Sequence, residues 1–200
     1  MGFRILLFLF IFFGYSLAFG ASPTERVKEV TDRIIAILSD NSLKSPEKKE
    51  EKVKLIKDEI NKVFDWEEFS KRSLAQHWQK LTPQQKDEFI KNYQKLLESV
   101  YSDRMNEYSG EQVRYEGEEI SGQNSIVKVA VLGYKGVDVP LIYRLVQKNN
   151  QWFVYDVVIE GVSLVNNYRS QFNSIMIKSG YDGLLKAIKD KIEGKGDTIK

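Results

Sequence analysis

Hydrophobic residues recur along this chain with two different periods, and the changes between them divide it into three parts. Between residues 22 and 108 they return every three or four positions, from 112 to 159 they alternate, and after Gly161 the longer period resumes. In the first part, Ser22-Pro23-Thr24-Glu25 is a capping box with proline at the first helical position. Val27, Val30, Ile34, Ile37 and Leu38 then mark one face of a helix that ends near Asp40. Ser45-Pro46 opens a second helix, with Val53, Ile56, Ile60 and Val63 on one side and the pairs Glu50/Lys54 and Asp58/Lys62 on the solvated side. A third begins at Asp65, with Glu68 completing the box and Phe64 placed to staple Phe69, and it stops near His77-Trp78. Thr82-Pro83-Gln84-Gln85 caps the longest helix. Its apolar positions Phe89, Tyr93, Leu96, Leu97, Val100, Tyr101, Met105 and Tyr108 span an arc wide enough to touch more than one neighbour.

The alternating part predicts four strands, near 112–120, 125–134, 137–148 and 151–159, joined by turns short enough to make an antiparallel meander. Val127, Val129 and Val131 share a face of the second strand. Val139, Leu141, Tyr143 and Leu145 share a face of the third, with Ile142 and Val146 opposite. The fourth has no polar face at all, since Trp152, Val154 and Val158 alternate with Phe153, Tyr155, Val157 and Ile159, so both of its sides need cover. Past Gly161, the residues Leu164, Val165, Tyr168, Phe172, Ile175 and Met176 form one helical stripe; two helices, 164–178 and 182–192 with Gly180 between them, close the chain. Helices first, a meander in the middle and helices last predict an α+β fold, in which a curved four-stranded antiparallel sheet is wrapped by about six helices.

Composition then narrows the class. Residues 1–20 read as a cleaved signal peptide: Arg4 is the lone charge, residues 5–13 are unbroken apolar sequence, and Ala18-Phe19-Gly20 places small residues before the cut. The competing reading is a retained anchor, for which the apolar run is short of the about 20 residues that a spanning helix needs. Residues 21–200 are then one exported domain, long enough to bury a sizeable core. The net charge of +2 loses Arg4 with the leader, and so nearly neutral a surface argues against nucleic acid. The absence of cysteine removes a disulfide framework, a lipidated cysteine and a thiol nucleophile; with a single histidine, the usual nitrogen and sulfur ligand set for a metal is missing too. His77, at a helix end, fits a cap or a core hydrogen bond, and Gly133-Tyr134-Lys135-Gly136 fits a hairpin turn better than a phosphate loop. Asp156 stands out, since alternation puts it with Trp152, Val154 and Val158 in an apolar strand. It is either a paired structural carboxylate, with Arg144 on the neighbouring strand as a partner, or a base of raised pKa. The apolar surplus likewise has two readings, a packed core or a lined cavity, which periodicity does not separate.

The nineteen-residue stretch VYDVVIEGVSLVNNYRSQF, from Val154 to Phe172, resembles the signature of the MlaC family of periplasmic phospholipid-binding proteins, auxiliary components of a toluene-tolerance ABC transporter. Phe64-Asp65 with Phe69, Arg72, Leu74, His77-Trp78 and Leu81-Thr82-Pro83-Gln84-Gln85 is similar to a second block of that family. The resemblance implies an NTF2-like sheet with an apolar pocket between sheet and helices, phospholipid as cargo, and neither cofactor nor catalysis. It also implies a shuttle between an outer-membrane lipoprotein complex (MlaA-like) and an inner-membrane MCE/ABC transporter (MlaD-like). Transfer of about thirty methylenes from water is worth about 24 kcal/mol, so a two-tailed lipid crosses water only in an apolar carrier. In such a pocket the expected tail contacts are Tyr93, Leu97, Val100, Tyr101, Val129, Val131, Leu141, Tyr143, Val157, Ile159, Tyr168 and Phe172. Arg169 is a candidate for the head-group phosphate or for a structural ion pair. Two rival functions are a small-molecule enzyme on the same fold, using Asp156 with Tyr143 and Tyr155 for proton transfer, and a plain interaction module with a filled core.

Overall fold

Local capping chemistry fixes where the helices begin. In the computed structural model, which describes residues 20–196, 198 and 199 and only the backbone of 102–106, α1 (Pro23–Ser39) starts at Ser22. There the Ser22 hydroxyl accepts from the Glu25 amide at 3.2 Å while the Glu25 carboxylate accepts from the Ser22 amide at 2.8 Å. Two short 3-10 turns, Asn41–Leu43 and Pro46–Lys48, lead into α2 (Lys49–Asn61). Asp65 caps α3 (Trp66–Leu74), and Thr82 and Gln85 cap each other at α4 (Pro83–Asn106). The signal-peptide expectation falls on residues 1–19, outside those described, and at Gly20.

The third helix ends earlier than its periodicity predicts. Ala75 turns to φ +47°, its N–H closes on the Lys71 carbonyl, and the chain continues as a 3-10 helix, Ala75–Lys80. The tighter pitch still buries His77 and Trp78, which is why the apolar pattern runs on past the break.

Five strands, not four, form the sheet, in the order β1 (Gln112–Ser121), β2 (Asn124–Tyr134), β3 (Val137–Lys148), β4 (Gln151–Ile159) and β5 (Val162–Ser163). All pairs are antiparallel. β5 is two residues long, too short for an alternating pattern to reveal it. It forms because Glu160 and Gly161, at φ +50° and +83°, make a tight hairpin that returns the chain beside β4. Registers align Tyr115, Val129, Leu141 and Ile159 in one row across the inner face, with Val127, Tyr143 and Val157 in the next.

Bulges curve the sheet and move one residue the alternation misplaces. In β1 the register slips beside Gly117, at φ +123°. In β4, Leu145 faces Val154 but Arg144 faces Asp156, so Tyr155 is the extra residue. Asp156 therefore lies with Arg144 and Val158 on the outer face, opposite Val154 and not beside it. Val157 and Ile159 rejoin the inner face.

α1 packs on β1 and β2, α3 and α5 (Leu164–Ile192) pack on β4, and α3, α4 and α5 pack on one another. Gly180, at φ +64° and ψ −166°, breaks α5 in two, giving the predicted pair of closing helices and six α-helical rods among the described residues. Their shared core is aromatic: Phe69, Phe89, Tyr93, Tyr168 and Phe172 are buried, with neighbouring ring centroids 5.0 to 5.6 Å apart. Among the described residues no helix is long and apolar enough to cross a membrane.

Candidate ligand-binding cavity

The helical layer does not settle flush on the sheet. Between α1 and the inner face lies a cavity of about 300 Å³. Val27, Val30 and Ile34 of α1 line one side, Ile60, Val63 and Phe64 of the α2–α3 junction another, and Leu141, Tyr143, Val154, Val157 and Ile159 form the floor. Ile60, Phe64, Tyr101 and Leu164 also line a second cavity of about 170 Å³ between α2 and α4, whose other walls include Val53, Ile56, Trp66, Phe69 and Leu97. These four side chains are thus a shared partition. A third hollow of about 200 Å³ lies between α1 and the far end of the same inner face, lined by Ile35, Leu38, Tyr108, Val113, Val131 and Tyr134, with Glu111 the one charged residue on it among the described residues. Among the described residues no charged side chain lines the first cavity, and its volume is at the lower end of ligand sites, about 300 Å³ upward.

Two anchors hold the partition in place. At the α2–α3 junction the chain runs beside the open half of β4: the Val154 amide donates to the Val63 carbonyl at 2.8 Å and the Asp65 amide to the Val154 carbonyl at 2.9 Å. Lys148 pairs with Asp65 there. At the start of α5, Asp156 is 1 % exposed and accepts from Ser163 Oγ at 2.7 Å, from the Val165 amide at 3.0 Å and from Arg144 Nη1 at 3.2 Å. Ser163 also caps the helix by accepting from the Asn166 amide at 3.1 Å. Leu164, between Ser163 and Val165, is thereby fixed in the wall of both cavities.

This geometry decides the role of Asp156. It is the paired carboxylate of the two sequence readings, with Arg144 as its expected partner, and its three acceptor contacts belong to structure. It lies on the sheet face opposite Tyr143, so the proposed Asp156/Tyr143 proton-transfer pair is not brought together. Tyr155, the bulge residue, stacks against Arg72, whose Cζ is 4.0 Å from the ring centroid. His77 is buried and its Nε2 lies 2.9 Å from Asn173 Oδ1, a core hydrogen bond. Among the described residues no group of three histidine, cysteine, aspartate or glutamate side chains could hold a metal.

Of the residues expected to contact lipid tails, Tyr101, Leu141, Tyr143, Val157 and Ile159 line the first cavity. Leu97 lines the second and Val131 the third. Tyr93, Tyr168 and Phe172 belong to the close-packed aromatic cluster, Val129 is buried in the core, and Val100 is half-buried against it. Arg169 is exposed, and its Nε donates to the Arg72 carbonyl at 2.8 Å, outside the lining of these hollows. Sequence reasoning missed the opposite wall, Val27, Val30, Ile34, Ile60, Val63, Phe64 and Leu164. Their helical stripes were visible, but not which layer each stripe faces. Burial dominates the electrostatics, pushing the Tyr143 hydroxyl up to about 12 and that of Tyr93, in the aromatic cluster, well above its ordinary value.

Fold and hollow together define an α+β domain with an apolar cavity between its two layers, which carries no charged side chain among the described residues. The model of the family described as MlaC protein matches residues 28–190, and the chain belongs to that family. It is 24% identical over 169 residues to the intermembrane phospholipid transport system binding protein MlaC of Haemophilus influenzae, covering 82% of this chain and 79% of that protein. It is 26% identical over 125 residues to the toluene tolerance protein ttg2D of Pseudomonas putida, covering 62% of this chain and 58% of that one. A phospholipid-binding protein from Ralstonia solanacearum, solved in complex with a phospholipid, has the same fold: TM-score 0.79 at 23% identity, over 88% of this chain and 100% of that one.

Proposed function

We propose that this protein is a periplasmic phospholipid carrier whose mature form is residues 21–200, made by removal of a signal peptide. The observation that supports it best is the uncharged cavity of about 300 Å³ with a second, 170 Å³, behind a shared wall of four side chains. The acyl chains lie against Tyr101, Leu141, Tyr143, Val157 and Ile159, with Leu97 beyond the partition, while the head group stays toward solvent. The relatives in H. influenzae and P. putida and the phospholipid-bound protein of R. solanacearum support the same cargo class. The sheet curvature is of the NTF2 kind. Lipid passes between an outer-membrane lipoprotein complex (MlaA-like) and an inner-membrane MCE/ABC transporter (MlaD-like), and no catalytic group takes part. Because carrier and membrane offer comparable hydrocarbon, hand-over is nearly neutral in free energy although release into water is prohibitive.

The test is organic extraction of natively purified protein followed by mass spectrometry. Phospholipid is expected from the wild type and from Val137→Asp, a change at a 59 % exposed position, and not from folded Leu141→Asp or Val157→Asp. Equal lipid in all four would exclude this cavity as the site, and no lipid in any of them would remove the carrier reading.

A further inference from the structure

A pocket that had only to hold hydrocarbon would have phenylalanine where this one has tyrosine. Thr31 and Tyr143 line the first cavity, and Tyr115 lies alongside. Tyr115 aligns with Val129 and Val129 with Leu141, one row from Tyr143 on the same inner face of the sheet. Tyr115 is near enough to Tyr143 to act on its ionisation, and the Tyr115 hydroxyl faces Thr31. Among the described residues the buried Tyr115 oxygen has only the Thr31 side chain as a polar neighbour, with no well-formed hydrogen bond between them, and Tyr143 has no hydrogen-bond partner. Buried donors are nearly always satisfied, and leaving them unpaired works against the folded state. A desolvated phenol without an acceptor on an apolar cavity, beside a second that meets only Thr31, therefore points to an acceptor that arrives with the ligand.

If the cargo is a phospholipid, its methylenes offer no acceptor, but the ester carbonyls joining each chain to glycerol do. They are oxygens without donors of their own, set at the boundary of the hydrocarbon. Burial keeps the Tyr143 phenol protonated far above neutral pH, so it is a permanent donor. We propose that Tyr143, supported by Tyr115, donates a hydrogen bond to an ester carbonyl of the bound lipid, so that the protein selects acyl-ester lipids over ether-linked lipids of the same chain length and head group. This inference rests on the carrier reading and adds a specificity to it.

The experiment uses the whole mature chain, stripped of lipid and incubated with vesicles containing equal amounts of diacyl and dialkyl phosphatidylethanolamine of matched chain length. The re-isolated protein is extracted and the two lipids are counted by mass spectrometry. One hydrogen bond in a water-poor site corresponds to a preference of about five- to tenfold for the diacyl lipid in the wild type. Tyr143→Phe should bring the ratio close to one, and Tyr115→Phe should lower it part of the way. A wild-type ratio near one overturns the proposal and leaves the hydroxyls to trapped water. A Tyr143→Phe protein that keeps the wild-type ratio overturns it as well. If the wild type takes up neither lipid, it is the carrier reading that fails.

Discussion

Replacing Asp156 by alanine tests whether the start of α5 is held by one buried carboxylate. The side chain is 1 % exposed and serves three donors, of which two, the Val165 amide and the Ser163 hydroxyl, are themselves buried. Each buried donor left unpaired costs about 1–3 kcal/mol. The ion pair adds little: the Arg144 side chain is 40% exposed and can turn to water, which limits its share to about 1 kcal/mol or less. Together these give a loss of about 3–5 kcal/mol for Asp156→Ala and about half that for Asp156→Asn, which still accepts from one donor but repels another. Urea unfolding of lipid-free protein followed by tryptophan fluorescence measures this, because the buried Trp78 and Trp152 report on the helical layer and the sheet. With m in urea of about 2 kcal/mol/M, the midpoint of the alanine variant should fall by about 1.5–2.5 M at unchanged m. Arg144→Ala should cost about 1 kcal/mol or less. A loss under about 1 kcal/mol in Asp156→Ala would refute the argument, and so would an Arg144→Ala loss equal to it, since the ion pair would then be the anchor.

Other consequences are open to measurement. Ala75→Gly should raise stability by about 1–2 kcal/mol, because alanine at φ +47° and ψ −122° bears a strain that glycine lacks; a lower thermal midpoint in that variant would contradict it. Tyr143, Tyr93 and Tyr168 all have hydroxyls raised by burial, Tyr143 to about 12. A folded value above the unfolded one means that the unfolded chain loses these protons first, so their stabilising contribution is complete below about pH 10 and declines as pH rises through 10 to 12. Absorbance titration of the mature chain at the phenolate band should therefore show a group of tyrosines that ionise only with unfolding; smooth titration of all nine in residues 21–200 near 10 would exclude it. Removing lipid should lower the thermal midpoint and adding vesicles should restore it, since a ligand bound only by the folded state stabilises it by mass action; a midpoint indifferent to lipid would count against loading.

The sequence made the elements legible because caps, turn residues and periodicity are local. The four long strands and the starts of α1, α3, α4 and α5 are located within a residue or two by signals such as Ser22-Pro23-Thr24-Glu25 and Asn149-Asn150, whereas α2 and the end of α3 fall three or four residues from where the pattern puts them. What it hid depended on single backbone angles or on partners far along the chain. Nothing about alanine marks position 75 as a break, a two-residue β5 has no period, and the bulge at Tyr155 reverses which face Asp156 occupies. The cavity was half legible for the same reason. Its floor followed from strand alternation in β3 and β4 except for Val154, which the Tyr155 bulge brings to that face, whereas its roof required knowing that α1 and the α2–α3 junction cover that floor. Tyr93, Tyr168 and Phe172 obey the same stripe rule as true lining residues, yet they pack on one another at 5.0 to 5.4 Å and leave no room.

That division between packed and unpacked aromatics explains how one layer of helices serves two ends. Where α3, α4 and α5 meet, interlocking rings fill the space and hold the helices in register without help from disulfides, of which a chain lacking cysteine has none. Where α1 crosses the sheet, branched aliphatic side chains on both walls stop short of each other. A hollow that no side chain fills forgoes the packing contacts that a closed core would make there. The aromatic cluster and the two anchors of the partition let the fold tolerate that deficit when empty. A hydrocarbon chain entering the hollow restores much of it, so the same empty volume that weakens the apo protein supplies part of the drive for uptake.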